Sequence, residues 1–278
     1  MKKQTKKALI ILGVVVGALL LFAVIFGVLN ALVADGKWSF GWSDYRYDES
    51  GYEIGEGSVP AASISRIEVD WIDGEVEIVA CQDTYISLSE DCDYELPESA
   101  RLRWGVSGDG KTLTVKYRKS SWFFAVGTGN RNKKLTLRVP ERFFEQLTEI
   151  DIDVESSAVT VKDMTAQKLS FESETGRLVT RGCTFSEVDA ESKSGVLDVG
   201  FASCPGKVEL DSERGDLTLR LPSNAEFTLE FLTENGKIST DFSLTQSGNR
   251  YTVGNGSAQL LAKTKKGDLL LAVAECGG

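Results

Sequence analysis

Acidic side chains beside serine hydroxyls are the residues of this sequence whose types and spacing could do chemistry. Four carboxylates open similar segments, and each directly precedes a serine: Glu155, Glu172, Glu191 and Asp211. Stacked on one another, these groups would offer Ca²⁺ the oxygen ligands that it takes in proteins. Two further copies carry Leu232 and Lys263 at this position, and the sequence contains no EF-hand motif. We therefore expect a solvated acidic edge, with no bound metal and no cofactor.

A polysaccharide-cleaving site is the enzymatic alternative, because glycosidases place two carboxylates around one sugar bond. The candidates are the pair Asp151 and Asp153, together with Asp109. Asp151 and Asp153 alternate with Ile150 and Ile152, which predicts that the acids face solvent on a strand whose other face is buried. The chain has no histidine, which removes Ser-His-Asp catalysis and histidine-ligated zinc or haem. We expect no catalytic residues and no enzyme activity.

The charge of the chain is strongly acidic beyond its first seven residues. The net charge is -10, and those seven residues include four lysines. The remainder has 27 basic and 41 acidic residues and a net charge of -14. Nucleic acids attract positively charged protein surfaces, so we exclude nucleic acid as a partner.

Residues 8–34 are almost entirely apolar. The 22 residues from Ala8 to Leu29 contain no charge and would span roughly 30 Å as a helix, the thickness of the hydrocarbon core of a membrane. We predict one transmembrane helix over 8–34, with the basic tail 1–7 in the cytoplasm and the rest of the chain outside. A cleaved signal peptide ending at Ala34 is the alternative, although its apolar core would be unusually long. Residues 35–60, rich in aromatic residues and glycine, are predicted to be a linker.

A repeat of about 20 residues organises the rest of the chain. Its marker is a glycine with Ser or Thr three residues before it and an aliphatic residue two after it. The glycines are Gly176, Gly195, Gly215, Gly236 and Gly267, and the hydroxyl residues are Ser173, Ser192, Ser212, Thr233 and Thr264. The intervals are 19, 20, 21 and 31 residues, and a Ser-Gly-Asn turn at 247–249 within the longest one indicates a loop or hairpin insertion. Weaker copies start at Asp73, which precedes Gly74, and at Glu155.

Apolar residues alternate on both sides of each turn, so each unit is predicted to be a strand, a turn and a strand. A meander of antiparallel hairpins would fit this pattern. The near-constant period favours a parallel β-solenoid, in which each unit forms one coil and equivalent positions stack about 4.8 Å apart. We expect the glycine to supply a positive φ and the Ser/Thr hydroxyls to form a ladder along the stack. The predicted fold is all-β, a parallel solenoid over 61–278 preceded by one transmembrane helix.

An insertion around residues 80–140 breaks the period. It contains Trp122, Phe123 and Phe124, flanked by several basic residues. This cluster is a candidate contact with lipid headgroups or an anionic cell-wall polymer. Alternatively, its rings would cap the open end of the solenoid.

The positions of the cysteines allow two disulfides but require neither. Five cysteines occur without a CxxC pair, so a structural zinc site is not expected. Cys183 and Cys204 are separated by close to one period, and Cys81 and Cys92 could bridge a hairpin. Outside the cytoplasm either pair could be oxidised, or the thiols could stay reduced as small hydrophobic groups.

The N-terminal anchor followed by [Ser/Thr]-x-x-Gly units resembles the LiaG-like putative adhesin family of bacterial envelope proteins, over residues from about 60 to 272. The resemblance implies a β-helix-like domain at the cell envelope and no defined catalytic residues. We therefore expect a membrane-anchored, extracytoplasmic β-repeat protein with a binding, adhesin-like or envelope-stress role. Its partner would be an envelope protein or a cell-wall polymer. The alternative is a β-helix lyase or glycosidase that acts on a polysaccharide.

Overall fold

The structure, a computed structural model, describes residues 51–96, 98–117 and 133–274. The predicted transmembrane segment 8–34 and the aromatic cluster Trp122–Phe124 lie outside these residues. Among the helices that are described, none has the length and apolar character needed to cross a membrane. The helical elements in this part of the chain are three short 3₁₀ turns, at Ala61–Ser63, Glu98–Ala100 and Glu141–Gln146.

The alternating apolar residues form 21 strands in the described part of the chain. They are β1 (Glu53–Ile54), β2 (Gly57–Pro60), β3 (Arg66–Trp71), β4 (Glu75–Cys81), β5 (Tyr85–Asp91), β6 (Arg103–Val106), β7 (Thr112–Lys116), β8 (Lys134–Pro140), β9 (Glu149–Val154), β10 (Ala158–Lys162), β11 (Thr165–Ser173), β12 (Arg177–Ser192), β13 (Leu197–Phe201), β14 (Lys207–Ser212), β15 (Leu217–Leu221), β16 (Phe227–Thr233), β17 (Ile238–Thr240), β18 (Thr245–Ser247), β19 (Arg250–Val253), β20 (Ala258–Thr264) and β21 (Leu269–Val273). Strands β1 and β2 lie within the predicted linker, so the folded domain includes residues before 61.

The strands form two sheets, joined by the long strand β12. Sheet A has the order β1-β6-β7-β3-β9-β11-β12-β14-β20-β16-β19-β18. Sheet B has the order β2-β5-β8-β4-β10-β12-β13-β15-β21-β17. Every pairing from β7 to β16 in sheet A, and from β8 to β17 in sheet B, is parallel. The predicted parallel solenoid is confirmed, and the hairpin meander is wrong for these strands.

The core lies between the two sheets and is built by the alternation of each strand. The predicted aliphatic positions two residues after the glycines illustrate it. Leu178, Leu197, Leu217 and Leu269 stack in register in sheet B, and each is at most 1% exposed. Full burial of such a side chain contributes about 1.5–3 kcal/mol, so the repeated column is a main source of stability.

The coils do not stack in the order of the sequence. At one end, the last coil (β20 and β21) lies between the β14/β15 coil and the β16/β17 coil. At the other end, the first coil (β3 and β4) lies between the β7/β8 coil and the β9/β10 coil. The order of the coils in the stack therefore differs from their order in the sequence at both ends. Antiparallel strands flank the outermost coils, including the hairpin β18–β19 at the predicted Ser-Gly-Asn turn.

The repeat glycines are required by contact between coils and not by their φ angles. None of the five has a positive φ, in contrast to Gly74 at +95°. A Cβ on Gly195 would lie 1.7 Å from the carbonyl oxygen of Gly176, and one on Gly215 would lie 1.7 Å from that of Gly195. The prediction of a positive φ is wrong, because the requirement for glycine comes from the backbone of the neighbouring coil and not from the turn itself.

The Ser and Thr hydroxyls connect the turns through the backbone. Each accepts a hydrogen bond from the glycine N–H three residues later, at 2.8 Å for Ser192 and 2.9 Å for Ser212. Ser212 Oγ also donates to the carbonyl oxygen of Gly195 in the adjacent coil at 3.2 Å, and Thr264 Oγ1 does the same to Gly215. The predicted hydroxyl ladder is therefore replaced by a hydroxyl-to-backbone ladder, which satisfies buried N–H groups that would otherwise be costly.

Replacement of Gly195 by Ala should unfold or strongly destabilise the domain. The new methyl group would overlap the Gly176 carbonyl, and only separation of two coils could relieve it. We expect a loss of about 3 kcal/mol or more in the free energy of unfolding, measured by urea denaturation followed by circular dichroism. Gly108→Ala is the control, since nothing lies within 4 Å of its Cβ position. Equal stability of the two variants would contradict the proposed contact.

Candidate functional site

Sheet A presents a column of five carboxylates on its outer face. These residues occupy equivalent positions on five adjacent strands and are named here the acidic ladder: Asp70, Asp153, Glu172, Glu191 and Asp211. Equivalent residues on neighbouring strands are separated by about 4.8 Å, so the ladder spans about 19 Å over its four intervals. Lys116 and Lys263 occupy the next positions at its two ends.

Three of the four acids singled out in the sequence belong to this ladder. The fourth, Glu155, does not, because Val154 pairs with Ser173 and Asp153 therefore lies opposite Glu172. Asp70 was missed. Both Asp70 and Asp153 could have been found by counting four residues back from the turn position, which Gly74 occupies in one coil and Ser157 in the other.

A second column on the same face alternates in sign. Its members are Arg66, Glu149, Lys168, Glu187 and Lys207. Arg66 pairs with Glu149 at 2.6 Å, Lys207 pairs with Glu187 at 3.0 Å, and Lys168 lies 3.8 Å from Glu149. Opposite charges across a sheet stabilise it, whereas like charges directly opposite one another destabilise it. The acidic ladder therefore places like charges opposite one another, whereas the column four residues before it pairs opposite charges.

The repulsion within the ladder acts most clearly on Glu172. Partial burial, followed by the neighbouring charges of Asp153 and Glu191, raises the pKa of Glu172 above its usual 4.5, while Lys193 opposes the shift. Neither Glu172 nor Glu191 forms an ion pair with another described residue. Within the described residues, no three acidic or cysteine side chains converge as they would around a metal ion.

The enzymatic candidates are dispersed over the molecule. Asp151 and Asp153 lie on β9, and Arg66 binds Asp151 at 2.7 Å. Asp109 is fully exposed in the β6–β7 turn, where it accepts hydrogen bonds from Ser107 and from the Lys111 N–H. The Asp109 carboxylate therefore stabilises this turn, and it does not lie on the outer face of sheet A.

Sheet B carries a buried carboxylate that the sequence did not reveal. Asp198 is 6% exposed and accepts hydrogen bonds from Arg181 and Arg220, including 3.0 Å from Arg181 Nη1 and 2.9 Å from Arg220 Nε. Burial alone would raise the pKa of Asp198, but the two arginines prevail and lower it. Gly200 leaves the space beside Arg181 and Arg220. This arrangement holds three adjacent coils together.

Lys133 lies at the other end of the solenoid and is completely buried. Its ammonium group pairs with Glu90 and lies 3.5 Å from the centroid of the Tyr117 ring. Tyr117 and Lys133 are the residues on either side of segment 118–132, so this contact joins the two residues that flank that segment. The predicted contact residues Trp122, Phe123 and Phe124 belong to that segment and lie outside the described residues.

The four described cysteines, Cys81, Cys92, Cys183 and Cys204, are all free thiols in this structure. Cys183 is buried within the core, and burial raises its pKa to about 11. Cys204 is exposed at the corner of the next coil. Of the two alternatives that the sequence allowed, this structure has the reduced thiols at both pairs.

The fold and its outer faces define a class of protein, a parallel β-solenoid with ordered columns of charge. Residues 146–272 match the family model described as Toastrack DUF4097, so this segment is a Toastrack domain. The match confirms the family resemblance that the turn motif indicated.

Three solved structures are similar to this chain at low identity. A "putative cell adhesion protein" from Clostridium sporogenes is 12% identical with a TM-score of 0.49, covering 79% of this chain and 99% of that one. A "putative adhesin" from Bacteroides fragilis is 16% identical with a TM-score of 0.42, covering 79% and 97%. A "putative lipid binding protein" from Parabacteroides distasonis is 12% identical with a TM-score of 0.34, covering 80% and 97%. These similarities are too remote to transfer a function. No curated protein matches the chain.

Removal of one charge from the ladder should stabilise the domain. Because the folded-state pKa of Glu172 is raised, its charge opposes folding above that pKa, and the penalty disappears as the pH falls below 4.5. We expect Glu172→Gln to gain about 0.2–1 kcal/mol at pH 7 in low salt, and nothing at pH 3. Thermal unfolding at both pH values measures this. The control Glu174→Gln removes a turn carboxylate paired with Lys193 and should bring no gain. A loss of stability in Glu172→Gln at pH 7 would contradict the repulsion.

Proposed function

We propose that this chain is a non-catalytic binding module, held at the outer surface of a membrane, and that the acidic ladder is its contact surface. The observation that carries this proposal is the stacking of five carboxylates in register on one sheet face. Like charges at this spacing reduce stability. Local features that oppose folding are expected mainly at functional positions.

The adjacent alternating column strengthens this argument. The same strands place Arg66, Lys168 and Lys207 opposite glutamates only four residues away from the ladder. A solenoid that needed only a soluble face could repeat that alternation in every column. The ladder instead keeps Glu172 and Glu191 available to a charge from outside the described residues.

The partner that fits this surface is an extended, positively charged segment of an envelope protein. Lysine or arginine side chains along such a segment would neutralise Glu172 and Glu191 at the centre of the ladder. Lys116 and Lys263 would repel further cations beyond the two ends, which limits the contact to about five coils, or about 19 Å. Complementary charge of this kind mainly increases specificity and the rate of association.

The rival function is cleavage of a polysaccharide. That chemistry needs an acid and a base on opposite sides of one sugar bond. Glu172 and Glu191 are both exposed on one side of a single sheet, and Asp109 lies in a separate turn. This arrangement favours an extended contact over catalysis.

The contact can be tested with the full chain in detergent and a fluorescent oligolysine peptide. We expect binding that weakens with added salt and a double variant, Glu172→Gln with Glu191→Gln, that binds about tenfold more weakly, a change of about 1.4 kcal/mol. The control double variant, Glu174→Gln with Glu213→Gln, has the same net charge but alters turn residues that already have lysine partners. Equal weakening in both variants would show that only net charge matters and would sink the ladder as the contact.

The membrane location is proposed from the sequence of residues 8–34. We expect the full chain to fractionate with membranes and to retain an N-terminal peptide that precedes residue 8, since an uncleaved anchor keeps its basic tail. Mass spectrometry of the N-terminus and protease accessibility in intact cells measure these points. A mature chain that begins at Asp35 would contradict the anchor while leaving the binding surface intact.

A further inference from the structure

The environment of Lys133 has the features of a site for covalent chemistry. Lys133 is 0% exposed, and its Nζ donates to the Ala100 carbonyl oxygen at 2.6 Å while pairing with Glu90. The ring centroids of Tyr117 and Trp71 lie 3.5 Å and 4.8 Å from Nζ. The Glu90 side chain is itself only 6% exposed. An amine and a carboxyl group are thus held together where water is excluded.

We propose that Lys133 and Glu90 condense to form an intramolecular amide bond between Lys133 Nζ and Glu90 Cδ. In this step the Nζ–Cδ bond forms and one Cδ–Oε bond breaks. The ammonium gives up two protons, and these leave with the departing carboxylate oxygen as one molecule of water. The reaction is a condensation without a change in oxidation state, so it needs no oxidant, reductant or further reactant.

The surroundings favour each part of this step. Burial outweighs the opposing effects of Glu90, Cys92 and Asp73 and lowers the pKa of Lys133 to about 8, so that some neutral amine is present near neutral pH. Proton transfer within the ion pair would supply the neutral amine together with the protonated carboxyl group. Because bulk water cannot reach the site, the amide bond would not be hydrolysed once it had formed.

Backbone groups hold the two reactants in position. The N–H of Leu102 donates to both carboxylate oxygens of Glu90, at 2.9 Å and 3.2 Å. This donor is placed to stabilise the negative oxygen that develops when an amine adds to a carboxyl carbon. The Ala100 carbonyl oxygen fixes Nζ on the other side. Leu102 N–H and Ala100 O are therefore positioning groups, and Lys133 and Glu90 are the reacting ones.

The bond would fasten the end of the solenoid. Glu90 lies on β5, and Lys133 immediately precedes β8, to which β5 pairs antiparallel. An amide between them would close the chain covalently around segment 118–132 and hold β5 against β8. For a domain displayed outside a membrane, this staple would resist proteolysis and local unfolding.

A second ion pair in the same chain is a matched control. Lys263 Nζ lies 2.5 Å from Glu209, but these side chains are 34% and 31% exposed. Water can reach this pair, and a condensation product would not be protected there. Only the buried pair is expected to react.

Mass spectrometry of the full chain tests the proposal directly. We expect an intact mass lower than the sequence mass by one water, and a tryptic product in which residues 67–101 are joined to residues 132–134, because trypsin does not cleave after an acylated lysine. Lys133→Arg should show the full mass of its sequence. Treatment with hydroxylamine should leave the bond intact, which distinguishes it from a cyclic imide at Asp73-Gly74 or Asp109-Gly110.

Three outcomes would overturn the proposal. They are a full sequence mass in the wild-type chain, a loss of water mapped to another site, and an equal cross-link between Lys263 and Glu209. The first measurement uses the wild-type chain, so a folding defect in Lys133→Arg would leave its result unchanged.

Discussion

The close approach of backbone to backbone at the repeat turn is the constraint on which the rest of this molecule depends. Where Gly195 follows Gly176 in the stack, a carbonyl oxygen occupies the space that a Cβ would need. This contact, together with the hydrogen bond from each glycine N–H to the hydroxyl three residues earlier, repeats along the turns. It keeps equivalent residues of successive coils in register, and it thereby aligns everything that the strands carry on their faces.

Because the coils are held in register, equivalent side chains of successive coils lie next to one another in continuous columns along the solenoid. Inside, it stacks leucine on leucine and builds a continuous core from units too small to bury one of their own. Outside, it turns the residue type at one repeat position into a column. Alternation at one position gives the paired column that begins with Arg66, and repetition of acid at another gives the acidic ladder. Local sequence therefore determines a surface that extends over five coils.

The sequence was a reliable guide where the repeat is regular. The spacing of Gly176, Gly195 and Gly215 predicted the parallel coils, and the period-two alternation predicted the buried faces of strands such as β9 and β14. It was a poor guide to contacts between residues distant in the chain. Asp70 joins the ladder only because the first coil stacks on β9, and Asp198 is enclosed by arginines from two other coils. The predicted role of the glycines was wrong because the prediction considered the φ angle of a single residue. The requirement for glycine comes from a contact between two coils, which are distant in the sequence.

The reordered coils follow from a problem that every solenoid faces at its ends. A sequential stack would end in a coil with an open hydrophobic face and two unpaired strand edges, which favours aggregation. At each end the chain passes outward to form the terminal coil and then returns, and the position beneath that coil is filled by the preceding coil β3/β4 at one end and by the following coil β20/β21 at the other. The outermost coil is therefore held by chain on both sides in sequence. Phe242 packs edge-on against Phe227 at one end, with ring centroids 5.4 Å apart. At the other end Trp71, Tyr117 and Lys133 fill the core above the last turn. The two ends are thus closed by aromatic and charged residues that the repeat motif does not contain. For this reason the buried Lys133 lies in one of the least periodic parts of the sequence.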